Sequence, residues 1–318
     1  MNCHPVLIKV NAVQITSFVF NQELTASEWL LESQQQFEVF LSEFLINLQG
    51  VEPTLKQAMR YSLLGGGKRF RASLVFATGK ALGINSEHLM PVATAVECLH
   101  AYSLVHDDMP CMDNDLLRRG KPACHVQFGQ AIALLVGDAL QTLSFDCLAH
   151  NSQLPVEVRL KQVQVLARAA GAQGMVNGQT IDLMNIGQTM SLSALKQMHA
   201  RKTGDLIVAA VKMGYLAASE LTEQRERALN EYAQTIGFAY QVVDDILDVE
   251  CSVESLGKTP GKDAALNKPT MVSLFGLNES KILLEQLRIT ALQACDRLVS
   301  KQDDCLRSLV NLIVERKS

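Results

Sequence analysis

Aromatic side chains, strand-like alternation and excess positive charge are all scarce in this chain of 318 residues. Aromatics make up only 5 % of it, which leaves little support for strands. The formal net charge of −4 gives no electrostatic reason to expect nucleic acid or an anionic membrane as a partner. Apolar residues, by contrast, make up 48 %, enough to bury a sizeable core.

Sequence signals for disulfides, zinc sites and membrane anchoring are also lacking. The eight cysteines form no CxxC pair and no zinc-like spacing, so we expect reduced thiols in a cytoplasmic protein. No run approaches the ~18 apolar residues of a membrane span, so we expect no membrane partner. The first 25 residues lack a charged segment that leads into an apolar stretch, so we expect no signal peptide there.

Helical periodicity dominates from Ser27 onward, where apolar residues recur at three- and four-residue steps. The apolar stripes run from 27 to 48 and through 88–108, 127–150, 156–186, 191–217, 222–250 and 279–314. Ser191 and Thr222 carry N-cap signals. No Gly/Ser/Pro-rich linker divides the chain. We therefore expect one all-α domain of mostly antiparallel helices over 27–318, after an extension of unknown role at 1–26.

Two aspartate clusters follow apolar helices. They consist of Asp107, Asp108, Asp113 and Asp115, and of Asp244, Asp245 and Asp248. Asp244 and Asp248 lie one helical turn apart, where like charges repel unless a cation or solvent compensates them. Pro110 is expected to end or kink the first helix, so that Asp113 can fold back towards Asp107. Clustered carboxylates suit Mg²⁺, whereas solvated acidic helix ends are the alternative interpretation.

Basic and polar groups complement the aspartates. The basic motifs are Lys68, Arg69 and Arg71 after Gly65–Gly67, the pair Arg118 and Arg119, and Lys202, Lys258 and Lys268. Glycines let the backbone approach a phosphate, and arginine binds phosphate oxygens bidentately. The GGGKR segment lacks the spacing of a nucleotide P-loop and has no preceding strand. Any one of these motifs alone could be a solvated loop.

Two further polar residues share helix faces with the aspartates. His100 lies seven residues before Asp107, and Gln241 lies three before Asp244. A hydrogen-bonded core histidine is the alternative for His100. Taken together, carboxylate clusters imply divalent metals, basic motifs imply an anionic substrate, and an apolar interior implies a hydrocarbon body. A phosphorylated hydrocarbon satisfies all three requirements.

Over nearly its whole length, from about Phe37, the chain resembles the trans-isoprenyl diphosphate synthases. The segments that carry the resemblance are GGGKRFR (65–71), ECLHAYSLVHDDMPCMDNDLLRRGKP (97–122), GDALQ (137–141), GMVNGQTIDL (174–183), RKTGDLI (201–207), GFAYQVVDDILDVE (237–250), LGKTPGKD (256–263) and NKPT (267–270). The resemblance implies helices around a deep central cavity, usually in a homodimer. It also implies condensation of isopentenyl diphosphate with dimethylallyl or geranyl diphosphate, by Mg²⁺-assisted ionisation, condensation and proton loss.

The resemblance also implies roles for individual residues. Three Mg²⁺, with Mn²⁺ a possible substitute, are expected on Asp107, Asp113 and Asp244, and the rest of the catalytic set is Asp108, Asp245, Asp248 and Lys202. The allylic diphosphate is expected to contact Arg118, Lys202, Thr203, Gln241 and Lys258, with Lys268 as a further substrate ligand. Isopentenyl diphosphate is expected to bind to Lys68, Arg71, His100 and Arg119.

Product length follows from the same resemblance. Tyr102, with Ser103 beside it, lies five residues before the first aspartate, and Pro110 and Cys111 occupy the place of a two-residue insertion that shortens the cavity. These features imply farnesyl diphosphate, a C15 product, with C20 geranylgeranyl diphosphate as the alternative. On a helical wheel Tyr102 lies about 140° from Asp107, so its position at the cavity floor comes from the resemblance alone.

Three residues of the chain depart from the family pattern. Leu116, Ala72 and Met271 replace residues common among the relatives, and none of the three is a proposed metal ligand.

A non-catalytic subunit of a heteromeric synthase is one alternative function, although such subunits are expected to lose an aspartate or basic motif. A metal phosphohydrolase built on His106 and Asp107 is the other, and it needs further metal-binding histidines.

Overall fold

A computed structural model of the chain describes residues 24–250, 269–298 and 305–316. The helices of the described residues are α1 (Ala26–Asn47), α2 (Pro53–Leu63), α3 (Phe70–Ala81), α4 (Ser86–Asp107), α5 (Cys124–Phe128), α6 (Gln130–Ala149), α7 (Val156–Ala170), α8 (Met175–Met184), α9 (Leu192–His199), a π-helix (Ala200–Gly204), α10 (Asp205–Leu216), α11 (Glu223–Glu250), α12 (Met271–Phe275), α13 (Leu277–Asp296) and α14 (Cys305–Val314). The expected all-α architecture is confirmed.

Local signals set several helix ends. Thr25 and Glu28 form a reciprocal capping box that starts α1, and Pro53 occupies the first turn of α2. The predicted caps are present, because Ser191 accepts a hydrogen bond from the backbone N of Ala194 and Thr222 accepts one from that of Arg225. Each cap satisfies a backbone donor that the helix itself cannot.

The core runs along α4, which is buried on most of its faces. It packs against α6 on one side and α3 on another, while α10 packs against α3, α7 and α11, and α11 packs along α13. This arrangement places the C-terminal ends of α4 and α11, which carry the two aspartate clusters, within one bundle.

The loop between α4 and α5 contains a small hairpin that the sequence did not predict. Strands β1 (Leu117–Arg118) and β2 (Lys121–Pro122) pair antiparallel. The turn between them consists of Arg119 (φ 54°) and Gly120 (φ 73°), both in the left-handed region that two-residue hairpin turns of type I′ require. The hairpin fixes the direction in which the two arginines leave the backbone.

Helix α6 departs from the expectation that no stretch could span a membrane. Among the described residues it is the one helix long and apolar enough to do so by length and composition. Core helices of soluble proteins pass the same test, and α6 packs on α2, α4, α5 and α7. Six cysteines lie in the described part of the chain, and all are free thiols, as expected.

Candidate active site

The first aspartate cluster folds back on itself where α4 ends. The backbone N of Asp113 donates to the carbonyl of Asp107 at 2.9 Å, as the position of Pro110 predicted. Burial raises the pKa of Asp107 to about 6, and the nearby Asp113 adds to the rise, while Lys202 and Arg118 oppose it. Asp107 is therefore a carboxyl group whose negative charge the protein compensates only in part.

Asp108 and Arg118 form an ion pair beside this cluster. The Arg118 Nε lies 3.1 and 3.2 Å from the two Asp108 carboxylate oxygens, its Nη2 also contacts Asp108, and Asp115 lies 3.8 Å away. Asp108 is buried, whereas the Arg118 side chain is 27 % exposed. Asp108 therefore orients Arg118 and leaves part of the guanidinium open to a ligand.

The loop Gly65–Gly67 is anchored by a buried arginine. Arg69 Nε donates to Glu38 at 2.5 Å, its Nη1 to Glu97 at 3.2 Å and its Nη2 to the carbonyl of Leu63 at 2.6 Å. Glu97 in turn accepts from the backbone N of Ala72 at 3.1 Å. These bonds hold Arg69 at a φ of 45°. Glu38 and Glu97 thus already neutralise Arg69, which acts as the structural anchor of the motif.

A positive cluster surrounds His100. Burial lowers the pKa of His100 well below its usual value, and the charges of Arg71, Arg119 and Arg118 lower it further. The buried Nε of Arg71 finds no hydrogen-bond partner among the described residues. The Arg119 guanidinium lies where a side chain on Gly67 would stand, 2.7 Å from the position of its Cβ. A buried donor in such surroundings suits an anionic ligand.

In the second aspartate cluster, Asp244 and Asp245 have different partners. Asp244 forms an ion pair with Arg316 at 2.5 Å. Asp245 is buried and accepts from the backbone N of Met271 at 2.7 Å and from Gln241 at 3.0 Å. Asp245 therefore holds the segment that enters α12, whereas Asp244 faces a more open space.

Asp248 lies one turn beyond Asp244 and is partly buried. Met271, one of the departures from the family pattern, is fully buried. Lys258 and Lys268, which were predicted to bind substrate, lie outside the described residues.

The π-helix Ala200–Gly204 lies near both aspartate clusters. Lys202 Nζ donates to Asp182 at 2.6 Å, and the pKa of Lys202 is raised by Asp182, Asp107 and Asp113 despite its burial. The next residue, Thr203, donates to the Gln241 side chain at 3.0 Å. Consecutive residues of this turn therefore interact with both parts of the site, because the charges of Asp107 and Asp113 act on Lys202 and Thr203 bonds to Gln241, one turn before Asp244. π-Helical turns are frequent at functional sites.

Glycines allow the close helix packing around this turn. A Cβ on Gly178 of α8 would collide with the backbone N of Lys202. A Cβ on Gly237 of α11 would come within 3.1 Å of the Gly204 Cα. The GMVNGQTIDL segment therefore needs glycine at position 178, and the approach of the π-helix to Gly237 is close.

The Tyr102 side chain projects from α4 towards α6. Its hydroxyl bonds to the Gln141 side chain, and its ring meets the His106 ring edge-on at 5.2 Å. Tyr102 is 8 % exposed. The Ser103 hydroxyl donates to the carbonyl of His100 at 2.8 Å, within its own helix. Tyr102 is therefore a packed residue on the side of α4 that faces α6.

The carboxylates fit magnesium only in combination with a ligand. Within the described ranges, no three His, Cys, Asp or Glu side chains are grouped closely enough to hold a metal by themselves. Mg²⁺ usually takes one or two carboxylates and completes its shell with waters and phosphate oxygens. Asp107, Asp113 and Asp244 supply hard oxygen ligands of that kind, beside cations that suit a phosphate.

A separate groove of about 520 Å³ lies outside this site. It is lined by Arg168, Gln173, Arg201 and Asp205, among others, but by neither Lys202 nor Thr203. Burial raises the pKa of Asp205 to about 6, against the attraction of Arg201 and Arg168. The groove contains none of the residues that the sequence predicted for the site.

Two residues of the site, Asp182 and Arg316, were not predicted from the sequence. Asp182, the partner of Lys202, lies in the GQTIDL segment but was given no role. Arg316 lies in no motif, and only the folded chain brings it to Asp244, 72 residues away in sequence. The anchoring task of Arg69 was missed for a similar reason, because Glu38 is 31 residues away.

Comparisons with known proteins agree on one family. Residues 52–302 match the polyprenyl synthetase family. The chain is 42 % identical over 293 residues to farnesyl diphosphate synthase of Haemophilus influenzae, covering 92 % of this chain and 99 % of that protein. It is 40 % identical over 267 residues to the chloroplastic geranylgeranyl pyrophosphate synthase 7 of Arabidopsis thaliana, covering 83 % and 77 %. A crystal structure of geranyltransferase from Helicobacter pylori, complexed with magnesium and isoprenyl diphosphate, superposes with a TM-score of 0.81 at 32 % identity, covering 92 % of this chain and 97 % of that one.

Proposed function

The chain belongs to the polyprenyl synthetase family, and from this premise we propose that it condenses isopentenyl diphosphate with dimethylallyl and geranyl diphosphates to give farnesyl diphosphate. The observation that carries the proposal is the turn at Lys202 and Thr203, where the charges of Asp107 and Asp113 act on Lys202 and Thr203 donates to Gln241, one turn before Asp244 and Asp245. One site thus offers carboxylates for metals and two groups of cations for two diphosphates.

The allylic diphosphate belongs at the aspartates. Asp107, Asp113 and Asp244 would hold three Mg²⁺, or Mn²⁺ in their place, with Asp248 in support. When bound, the metals stabilise the negative charge of the departing diphosphate. Lys202, Thr203 and Gln241 orient that diphosphate. Arg118, held by Asp108, adds a bidentate donor, and Lys258 and Lys268 complete the proposed set.

Isopentenyl diphosphate belongs at the basic cluster. Lys68, Arg71 and Arg119 supply charge, and His100, kept neutral by its surroundings, supplies a hydrogen bond. The double bond of isopentenyl diphosphate attacks the allylic carbocation, and the proton lost afterwards goes to the departed diphosphate. A site that excludes water protects the cation from hydrolysis.

Tyr102 would limit product length. As a large side chain packed on the side of α4 that faces α6, Tyr102 would shorten the space into which the growing hydrocarbon extends. This supports a C15 product. The likeness to the Arabidopsis geranylgeranyl pyrophosphate synthase supports C20 as the second candidate.

Product analysis tests both statements. Isopentenyl and geranyl diphosphates with Mg²⁺ should yield pyrophosphate and one main C15 product. Tyr102→Ala should lengthen the products, and Tyr102→Phe, which keeps the ring, should not. A C20 main product from the natural protein would reject the farnesyl assignment and keep the family activity. Release of pyrophosphate from geranyl diphosphate alone, without condensation, would favour a phosphohydrolase.

We propose that residues 27–318 form one synthase domain, which acts as a soluble, cytoplasmic homodimer. Leu134 and Leu135 on α6, and Val156 and Leu160 on α7, are each about half exposed or more. Exposed apolar side chains on neighbouring helices suit a self-complementary interface.

A further inference from the structure

Arg316 lies just beyond the end of α14 and contacts α11 at Asp244. Its Nη2 is 2.5 Å from Asp244 Oδ1, and its guanidinium lies over the Tyr240 ring, 4.9 Å from the centroid. Tyr240 stacks in turn on Phe70 at 5.3 Å, at the start of α3. The contact therefore connects the end of the chain's last described helix to a proposed metal ligand and to the basic loop.

Two cations share the surroundings of Asp244. The pKa of Lys68 is lowered by partial burial and by Arg316, and Asp244 opposes that change. The pKa of Arg316 is raised by Asp244 and Tyr240 despite burial. A divalent cation that approaches Asp244 thus meets positive charge already in place, and like charges a few Å apart repel strongly in a partly buried site.

We propose that Arg316 is a positioning residue that holds Asp244 as an internal counterion and is displaced when a divalent metal binds there. The inference rests on the proposed function, because it takes Asp244 as a metal ligand. The guanidinium occupies one carboxylate oxygen, and a metal competes with it for the same negative charge. Arg316 therefore lowers the metal affinity of the free site and couples metal binding to the position of the segment that follows α14.

The pair is suited to exchange because α14 does not depend on it. Leu306, Leu309, Val310 and Ile313 are buried, and Tyr232 donates to the carbonyl of Leu306 at 2.9 Å. The Asp244 side chain is 34 % exposed, so solvent and ions reach it. Because these buried contacts hold α14, and the Arg316 side chain lies beyond its end at 16 % exposure, the pair can break without unfolding the helix.

Manganese titration followed by electron paramagnetic resonance tests the competition without any turnover. With Mn²⁺ alone, Arg316→Gln should bind the metal at least about threefold more tightly than the natural protein, because a competing cation is gone. Arg297→Gln is the matched control. Arg297 also pairs with α11, at Glu231 (2.7 Å), about 20 Å along the helix from Asp244, and its loss should leave affinity unchanged.

Two further variants and hydrogen exchange complete the test. In an Asp244→Asn background, Arg316→Gln should have no effect on Mn²⁺ affinity, because the two residues act as a pair. Added Mn²⁺ should speed amide exchange at residues 313–316 of the natural protein, and Arg316→Gln should exchange fast from the start. Equal or weaker affinity in Arg316→Gln, or unchanged exchange on adding metal, would overturn the inference.

The proposed function is judged separately, by the condensation assay. Condensation with no gain in affinity for Arg316→Gln would overturn the inference alone. No condensation, and no Mn²⁺ binding by either protein, would overturn both.

Discussion

Lys202 interacts electrostatically with three aspartates of the site, Asp182, Asp107 and Asp113. It donates to Asp182 at 2.6 Å, and its charge lowers the pKa of Asp107. Lys202→Gln removes that charge, so the pKa of Asp107 should rise above its present value of about 6. Because a carboxyl group with a higher pKa is protonated at a higher pH, the titration of the Asp107 carboxyl in the metal-free protein, followed by carbon NMR, should move to higher pH.

The size of the effect follows from the loss of one electrostatic stabiliser. At pH 7, kcat/KM for condensation should fall by about 100-fold. Lys196→Gln is the control, because Lys196 is exposed, lies over the Phe238 ring at 5.4 Å, and is not among the charges that shift the pKa of Asp107. An unchanged titration of the Asp107 carboxyl in Lys202→Gln would show that the charge of Lys202 does not act on Asp107.

Residue types alone predicted the aspartate and basic motifs as candidates for the site, but not what each side chain contacts. Asp108 and Asp245 are predicted members of the catalytic set, and the folded chain pairs them with Arg118 and with the backbone N of Met271, which the sequence did not predict. Adjacent aspartates on a helix point in different directions, since successive residues turn by about 100°. Sequence proximity therefore cannot separate a ligand from the group that positions it.

Apolar periodicity fails to predict the bounds of helices where a helix is interrupted. The stripe 127–150 breaks at Gly129, whose φ is 86°, and the stripe 156–186 breaks between Gly171 and Gly174. Apolar residues continue across both breaks because the flanking helices bury the same core, so the hydrophobic pattern cannot reveal the change of direction. Glycine, which tolerates these conformations, was the signal available.

The π-helix is the element on which the site depends most. Gly178→Ala places a Cβ against the backbone N of Lys202, and backbone cannot move aside as a flexible side chain can. We expect a loss of about 1–3 kcal/mol in the free energy of unfolding, together with a displaced Lys202 and lower activity. Urea unfolding and the condensation assay measure the two effects.

Gly204→Ala in the same π-helix is the matched control. A Cβ at position 204 would lie 3.7 and 4.0 Å from its nearest atoms, which is ordinary van der Waals contact. Alanine also favours helix over glycine by about 1 kcal/mol. Gly204→Ala should therefore retain stability. If Gly178→Ala were equally harmless, the close approach of α8 to the π-helix would not matter.

At the scale of the whole molecule, the sequence predicted an all-α bundle because helical periodicity is a local signal repeated many times. It could not predict which helices meet. The ion pairs of Arg69 with Glu38 and of Arg316 with Asp244 join residues 31 and 72 positions apart, and nothing in either local segment identifies its partner. Such contacts arise only from the packing of α1, α3, α11 and α14.

Oligomeric state is the property of the whole molecule that the exposed apolar surface predicts. Leu135 on α6 is 51 % exposed and lies next to Leu134, at 46 %. A carboxylate buried without a partner at a subunit interface is costly, so Leu135→Glu should convert the proposed homodimer into a monomer. Ile282→Glu on α13 changes a side chain that is equally exposed, at 51 %, and should leave the dimer intact. Light scattering coupled to gel filtration measures both masses. A dimer that survives Leu135→Glu but dissociates with Ile282→Glu would move the interface from α6 to α13.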